Sequence, residues 1–199
     1  MTDNLSSILV VEDELITAES ISQLLEEEEY IIAGIAKDAA TAQLICQQAS
    51  PPPSVIVCDI NIKGPVKGIV LAQQLKQMYA CEIIFLTAYA DSNTLQEAFA
   101  TDPVMYVVKP YTDKQLLVAV QMAFHRLFNR QQKQLMGGLQ LTEREKEIAG
   151  MVAQGFSSKQ ICMRLGISIE TVKTHRRRML QKNNISNFPQ LVYLMNQPA

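Results

Sequence analysis

Ser54-Val55-Ile56-Val57-Cys58-Asp59 is the segment that most clearly indicates how this chain folds. Its apolar, mostly β-branched residues form a continuous run, which is typical of a strand buried on both faces of a parallel sheet. An aspartate closes the run. A strand of this kind needs helices on both faces of its sheet, so the neighbouring segments should alternate between strand and helix.

Four similar runs flank this one, and each is followed by a segment with apolar residues at three- and four-residue spacing. The predicted strands are Ser7–Val11, Tyr30–Ala36, Ser54–Ile60, Glu82–Ala88 and Val104–Val108. The predicted helices are Asp13–Glu28, Asp38–Ala49, Val66–Tyr79, Asn93–Thr101 and Thr112–Asn129. The alternation predicts an α/β domain with a doubly wound, five-stranded parallel sheet.

A second, all-helical pattern begins near residue 141. The predicted helices are Leu141–Gln154, Ser158–Leu165, Ile169–Asn183 and Pro189–Met195. Thr142 and Glu145 have the spacing of a capping box, and Ser168 is a candidate N-cap. The segment before these helices is rich in glutamine and contains two glycines, as linkers do. We therefore predict a first domain over residues 1–129, a linker over 130–140 and a small all-α domain over 141–199.

Charge is distributed unevenly between the two parts of the 199-residue chain, whose formal net charge is -2. Residues 1–130 hold 8 Lys+Arg against 16 Asp+Glu, a net charge of -8, whereas residues 131–199 hold 10 against 4, a net charge of +6. A basic small domain suits a polyanion such as DNA.

Several protein classes are disfavoured by the composition. No apolar run reaches the roughly 20 residues that span a bilayer, and the start of the chain lacks the features of a signal peptide. The four cysteines lie far apart and there are only two histidines, so neither a disulfide scaffold nor a zinc site is supported. We expect a soluble cytoplasmic protein with no membrane partner.

Three acidic residues follow predicted strands. Glu12 and Asp13 come after the first strand, and Asp59 ends the third. In an open parallel sheet, ligands bind beyond the carboxyl ends of the strands, so these acids converge if strands one and three are neighbours. Oxygen ligands of this kind suit Mg²⁺ better than zinc.

The remaining strand ends add a hydroxyl and a cation. Thr87 ends the fourth strand, and Lys109 follows the fifth. Metal-binding acids, a nucleophilic carboxylate, a hydroxyl and a lysine on one sheet edge are the parts needed for phosphoryl transfer, which works by positioning and charge neutralisation.

These motifs, with Tyr106-Val-Val-Lys109-Pro110, together resemble the receiver domain of bacterial two-component response regulators, a flavodoxin-like fold. The resemblance implies that a histidine kinase phosphorylates Asp59 and that the Lys109–Pro110 peptide bond is cis. It also implies the following roles: Glu12 and Asp13 hold Mg²⁺ with Asp59 and the Asn61 main-chain carbonyl, Thr87 and Lys109 bind the phosphate, and Tyr106 is the switch aromatic.

The loop after Asp59 departs from the commonest receiver form. It is one residue longer and carries Lys63 and Lys67. These lysines either raise the local affinity for phosphate or are simply solvated, and the sequence favours solvation.

Residues 157–183 have the sequence pattern of a helix-turn-helix motif. On its second helix, Val172, Met179 and the stem of Arg176 share an inward stripe. Lys173, Thr174 and Arg177 fall on the outer face, from which they could enter a major groove.

This segment is similar to the LuxR/NarL-type helix-turn-helix domain, through Leu-Thr-x-Arg-Glu, Gly155-Phe-Ser-Ser-Lys-Gln-Ile and Thr171-Val-Lys-x-His175. The resemblance implies that Lys173, Thr174 and Arg177 read bases. It implies equally that Thr171, His175 and Lys182 hold the DNA backbone, and that the last helix pairs subunits. Asn183 stands where relatives usually bury a leucine.

The chain is therefore predicted to be a phosphorylation-dependent transcriptional regulator that binds promoter DNA as a homodimer and is not an enzyme beyond its own phosphoryl transfer. One alternative is a DNA-binding regulator whose first domain is a phosphorylation-independent dimerisation or docking platform. Another is an aspartate-nucleophile phosphatase, but such enzymes need a second carboxylate where this chain has Asn61.

Overall fold

The computed structural model describes residues 6–88, 92–131, 139–183, 185 and 187–195. Its strands are β1 Ser7–Val11, β2 Ile31–Ala36, β3 Val55–Asp59, β4 Glu82–Thr87 and β5 Met105–Val108. They form one parallel sheet in the order β2-β1-β3-β4-β5. This order confirms the doubly wound sheet and makes the first and third strands neighbours.

Each strand is followed by a helix, and the residues described after α5 form four more helices. The first five helices are α1 Leu15–Glu27, α2 Ala39–Gln48, α3 Gly68–Met78, α4 Ser92–Phe99 and α5 Asp113–Gln131. The last four are α6 Glu143–Ala153, α7 Ser158–Leu165, α8 Ile169–Asn183 and α9 Phe188–Met195. All the predicted elements are present, and the bounds differ by a few residues at most.

The differences at the element ends have local causes. Tyr30 was predicted to begin the second strand, but its N–H donates to the carbonyl of Leu25, so it belongs to the turn that ends α1. Lys67 has extended backbone and precedes the first residue of α3, which therefore begins two residues later than predicted.

The sheet of the first unit is buried on both faces. Leu9, Ile56 and Phe85 belong to a cluster that packs against residues of α2 and α3. The alternate residues of the same strands are also fully buried and point to the opposite face, where α1 contacts β1 and β2. Continuous apolar strands thus correspond to two covered faces, as the sequence pattern indicates.

Contacts divide the chain into two compact units, one over Ser6–Thr112 and one that contains everything from Asp113 onward. The second unit includes α5, which contacts α9. The domain boundary at residue 129 stays a prediction, and most of the predicted linker, residues 132–138, lies outside the described residues.

Capping interactions define the helices of the second unit. Thr142 and Glu145 form the predicted capping box at the start of α6, and Ser168 accepts a hydrogen bond from the N–H of Thr171 at the start of α8. Gly166 ends α7 in the left-handed conformation, with φ +64, which favours glycine. These caps place α7 and α8 on either side of a short turn.

Candidate functional site

The three acids at the strand ends lie together. One carboxylate oxygen from each of Glu12, Asp13 and Asp59 lies within 4.8 Å of the others. They meet because β1 and β3 are hydrogen-bonded neighbours, with Val11 opposite Cys58. Glu12 and Asp59 are buried, so the cluster concentrates negative charge at the edge of the sheet.

Lys109 connects two of these acids. Its Nζ lies 2.6 Å from Glu12 Oε2 and 2.5 Å from Asp59 Oδ2. The lysine follows β5, and its N–H donates to the carbonyl of Thr87 at the end of β4. The Lys109–Pro110 peptide bond is cis, as the resemblance implied.

The Asp59 carboxylate accepts a hydrogen bond at each oxygen. Oδ1 accepts from the N–H of Asn61 at 2.9 Å, and Oδ2 accepts from Lys109. Donors on both oxygens orient the carboxylate, and they compensate part of the cost of burying its charge.

Burial and neighbouring charges shift the pKa values of Glu12 and Lys109. Burial raises the pKa of the Glu12 carboxyl; the hydrogen bond from Lys109 opposes this shift and the negative charge of Asp59 reinforces it. Burial lowers the pKa of Lys109, but its hydrogen bonds to Asp59 and Glu12 outweigh burial and the pKa is raised. Lys109 is therefore held firmly in its charged form.

Two hydroxyl groups on the neighbouring strands β4 and β5 have no hydrogen-bond partner among the described residues. Thr87 Oγ1 and the Tyr106 hydroxyl oxygen are both buried. The Tyr106 ring lies against Phe85 and Phe99, with centroid distances of 5.8 and 5.2 Å. A buried hydroxyl without a partner is costly, so these atoms are ready to bond a group that enters from outside.

Gly68 shapes the acceptor loop, a role that sequence reasoning missed. Its N–H donates to the carbonyl of Ile60, and a Cβ at this position would lie 2.0 Å from the carbonyl oxygen of Asp59. Only a glycine lets the start of α3 approach the Asp59 backbone this closely. A glycine nine residues after an acid that ends a strand is the signal that could have shown this contact.

Lys63, in the lengthened loop, contacts the cluster. Its Nζ lies 3.1 Å from Asp13 Oδ2. Lys67, in the same loop, is exposed. The sequence allowed the same two interpretations for both lysines, but in the structure Lys63 contacts the cluster and Lys67 is exposed.

The residues at this edge fit a magnesium ion. Three carboxylates offer oxygen ligands, and Mg²⁺ takes oxygen ligands and usually keeps several waters. The Asn61 N–H bonds Asp59, which brings the Asn61 backbone to the same edge.

The basic residues of α8 divide between its two faces as predicted. Val172, Arg176 and Met179 are buried, whereas Lys173 and Thr174 are partly exposed and Arg177 is exposed. Arg176 donates to Ser158 Oγ at 2.9 Å, and its guanidinium lies 4.6 Å from the centroid of the Phe188 ring. Arg176 therefore serves the core of the unit, not its outer surface.

The three residues expected to hold the DNA backbone differ in the hydrogen bonds that they make within the unit. His175 is partly exposed on α8. The Thr171 hydroxyl hydrogen-bonds Ser168 Oγ at the start of that helix. Lys182 donates to Glu145 on α6, so its ammonium group is already paired within the unit.

Asn183 makes a link that sequence reasoning missed. Its Oδ1 accepts from the N–H of Gln140 at 2.7 Å, and its Nδ2 donates to the carbonyls of Gln140 and Met179 at 3.2 and 2.8 Å. The amide therefore ties the segment before α6 to the end of α8. The available signal was an asparagine at a position where the resemblance to the luxR-type domain implies a leucine.

None of the helices in the described part of the chain combines the length and the apolar character needed to cross a bilayer.

Two family models match the chain, and the first of them extends into α5, beyond the boundary that the contacts give at Thr112. Residues 8–121 match the family model of the response regulator receiver domain, and residues 139–195 match that of bacterial regulatory proteins of the luxR family. The transcriptional regulatory protein TdiR of Thauera aromatica is 32% identical over 203 residues, covering 98% of this chain and 87% of that protein.

Solved structures show the same relationship. A low-resolution structure of the response regulator StyR aligns with a TM-score of 0.56 at 27% identity and covers 96% of this chain and 98% of StyR. The signal receiver domain of a modulated diguanylate cyclase from Desulfovibrio desulfuricans G20 aligns with a TM-score of 0.59 at 27% identity, covering 64% of this chain and 99% of that domain. The chain therefore belongs to the response regulators of two-component systems, and it is a transcriptional regulator with a receiver domain followed by a DNA-binding domain of the luxR family.

Proposed function

We propose that Asp59 is the phosphoryl acceptor of this regulator and that its phosphorylation controls binding to promoter DNA. The observation that carries the proposal is the convergence of Lys109, Glu12 and Asp13 on the Asp59 carboxylate. An activated carboxylate beside a fixed cation and a set of metal ligands suits phosphoryl transfer, which depends on positioning and charge neutralisation.

The donor would be a phosphohistidine of a partner histidine kinase. An oxygen of Asp59 forms the new bond to phosphorus, the bond between phosphorus and the imidazole nitrogen breaks, and the imidazole keeps the electron pair. Lys109 neutralises charge on the phosphoryl oxygens, and Thr87 Oγ1, which has no partner among the described residues, donates to one of them.

Glu12, Asp13 and Asp59 would hold Mg²⁺ together with the Asn61 main-chain carbonyl. The bound ion supplies further neutralisation of the phosphoryl charge. No substrate is turned over in this scheme, since the chain acts only on its own aspartyl group.

Phosphorylation adds about -1.5 to -2 units of charge beside Thr87. Thr87 moves toward the new group, and Tyr106 follows, because Thr87 ends β4 and Tyr106 lies on the adjacent strand β5, opposite Phe85. The altered surface then favours a homodimer through α9, in which Lys173, Thr174 and Arg177 read bases while Thr171 and His175 hold the backbone. Lys182 could join them only by releasing Glu145. Because its proposed partner is promoter DNA, we propose that the protein acts in the cytoplasm.

The test is to treat the full chain with acetyl phosphate and Mg²⁺ and to measure its mass and its promoter binding in the same samples. We expect the mass of one phosphoryl group on the wild type, none on Asp59→Asn, and tighter DNA binding only for the modified protein. Equal promoter binding by both would favour the phosphorylation-independent alternative instead.

A further inference from the structure

Two lysines contact the carboxylate cluster of Glu12, Asp13 and Asp59. Lys109 bonds Glu12 and Asp59. Lys63 pairs with Asp13, with Nζ 3.1 Å from Oδ2. Each of the three carboxylates therefore has an ammonium partner.

The two lysines differ in how firmly they are held. The Lys109 side chain is 21% exposed and bonds two acids that are themselves buried. The Lys63 side chain is 81% exposed, and Asp13 is its ion-pair partner. The Asp13 side chain is only 17% exposed, but the solvated Lys63 keeps this ion pair weak and screened by salt, so Lys63 can release Asp13 without disturbing the fold.

A divalent cation at the cluster would compete with Lys63. It would need an oxygen of Asp13, the one carboxylate of the three that Lys109 does not bond. Mg²⁺ also requires near-ideal octahedral geometry with ligand distances of about 2.0–2.1 Å, and its charge repels a nearby ammonium group. Lys63 and the metal ion therefore exclude one another at Asp13.

We propose that Lys63 is a built-in competitor for the divalent cation: its ammonium group occupies Asp13 in the metal-free protein and moves into solvent when Mg²⁺ binds. The inference rests on the magnesium site of the proposed function. Lys63 thereby sets the Mg²⁺ concentration at which the acceptor site becomes competent, without contacting the phosphoryl donor.

The direct test is to titrate MgCl₂ into the full chain and to follow the backbone amide signals of Asp13 and Asn61 by NMR. We expect Lys63→Ala to bind Mg²⁺ about two- to fivefold more tightly than the wild type, because the ion no longer has to displace a weak ion pair from Asp13. Lys67→Ala is the matched control, because it removes the same charge from the same exposed loop. An affinity of Lys63→Ala no higher than that of Lys67→Ala would overturn the proposal.

A second measurement separates competition for the metal from a contact with the donor. The rate of phosphorylation by acetyl phosphate is measured over a range of Mg²⁺ concentrations. Lys63→Ala should lower the half-saturating Mg²⁺ concentration and leave the maximal rate unchanged, whereas a reduced maximal rate would assign Lys63 to the donor and refute the inference.

The two proposals fail in different ways. A wild type that neither binds Mg²⁺ nor acquires a phosphoryl group refutes both. Normal phosphorylation with the same Mg²⁺ affinity in the wild type and in Lys63→Ala refutes only the role of Lys63.

Discussion

Glu145 is a buried carboxylate that links two helices of the DNA-binding unit. Its Oε2 accepts from the N–H of Thr142 at 2.8 Å and from Lys182 on α8. Burial raises the pKa of the Glu145 carboxyl, but the hydrogen bonds from Lys182 and Thr142 outweigh burial and leave it below its ordinary value. The ionised form is thus the one that stabilises the fold.

Replacing Glu145→Gln should therefore destabilise α6 in a pH-dependent way. A lowered pKa gives stability that is present above the ordinary value of 4.5 and is lost as the pH falls through the lowered folded-state pKa. At pH 7 we expect faster hydrogen exchange of residues 143–153 in the variant, equivalent to about 1–3 kcal/mol, because Lys182 loses its charged hydrogen-bond partner. Exchange measured by mass spectrometry should show the difference narrowing below pH 4.5, and a difference that stays constant with pH would contradict this assignment.

At the scale of the element, the start of α3 fixes the backbone of the acceptor loop. The helix begins against the Asp59 carbonyl, and the Cys58 thiol donates to that same carbonyl at 3.3 Å. Burial raises the pKa of the Cys58 thiol, which keeps it protonated and able to donate. The acceptor loop and the helix therefore form one packed element.

Gly68→Ala should damage this element more than an ordinary helix substitution. The added methyl group would overlap the Asp59 carbonyl oxygen, so either α3 or the loop has to move. We expect a loss of about 1–3 kcal/mol in the free energy of unfolding of the receiver unit, measured by urea denaturation, and slower phosphorylation by acetyl phosphate. Gly150→Ala is the control, since a Cβ there meets no atom within 4 Å; equal behaviour of the two variants would refute the packing argument.

The same elements show how far sequence reasoning reaches. Apolar runs and helical spacing predicted the strands and helices, because burial on two faces leaves a direct signature in the sequence. The convergence of Glu12, Asp13 and Asp59 also followed, because strand ends share one edge of a parallel sheet. The pairings of Lys63 with Asp13, Lys182 with Glu145 and Asn183 with Gln140 did not follow, since which polar partner a side chain selects depends on three-dimensional distances that no local pattern encodes.

At the scale of the whole molecule, the charges of the chain are divided between its two functions. Residues 1–130 carry a net charge of -8 and residues 131–199 a net charge of +6. The acidic part repels a polyanion and the basic part attracts it. Because both effects act over long range, the strength of DNA binding should depend mainly on electrostatics.

We expect the affinity of the full chain for a mixed-sequence duplex to fall steeply with salt. Each phosphate that the protein neutralises contributes about -0.9 to the slope of log K against log salt concentration. The slope should be about -4 or steeper, which corresponds to roughly four or five neutralised phosphates. Fluorescence anisotropy between low and physiological salt checks the slope. Arg177→Gln, which removes an exposed arginine of α8, should weaken binding, and a slope near zero would exclude this mode of DNA binding.

The sheet order has a consequence for how the protein is made. Asp59 emerges from the ribosome well before Lys109, the cation that bonds its carboxylate from the end of the last strand. A nascent chain that stops short of β5 carries the nucleophile without its counter-ion. Every residue of the acceptor site precedes α6 to α9 in the chain, so the ribosome synthesises the sensor before the helices that it controls.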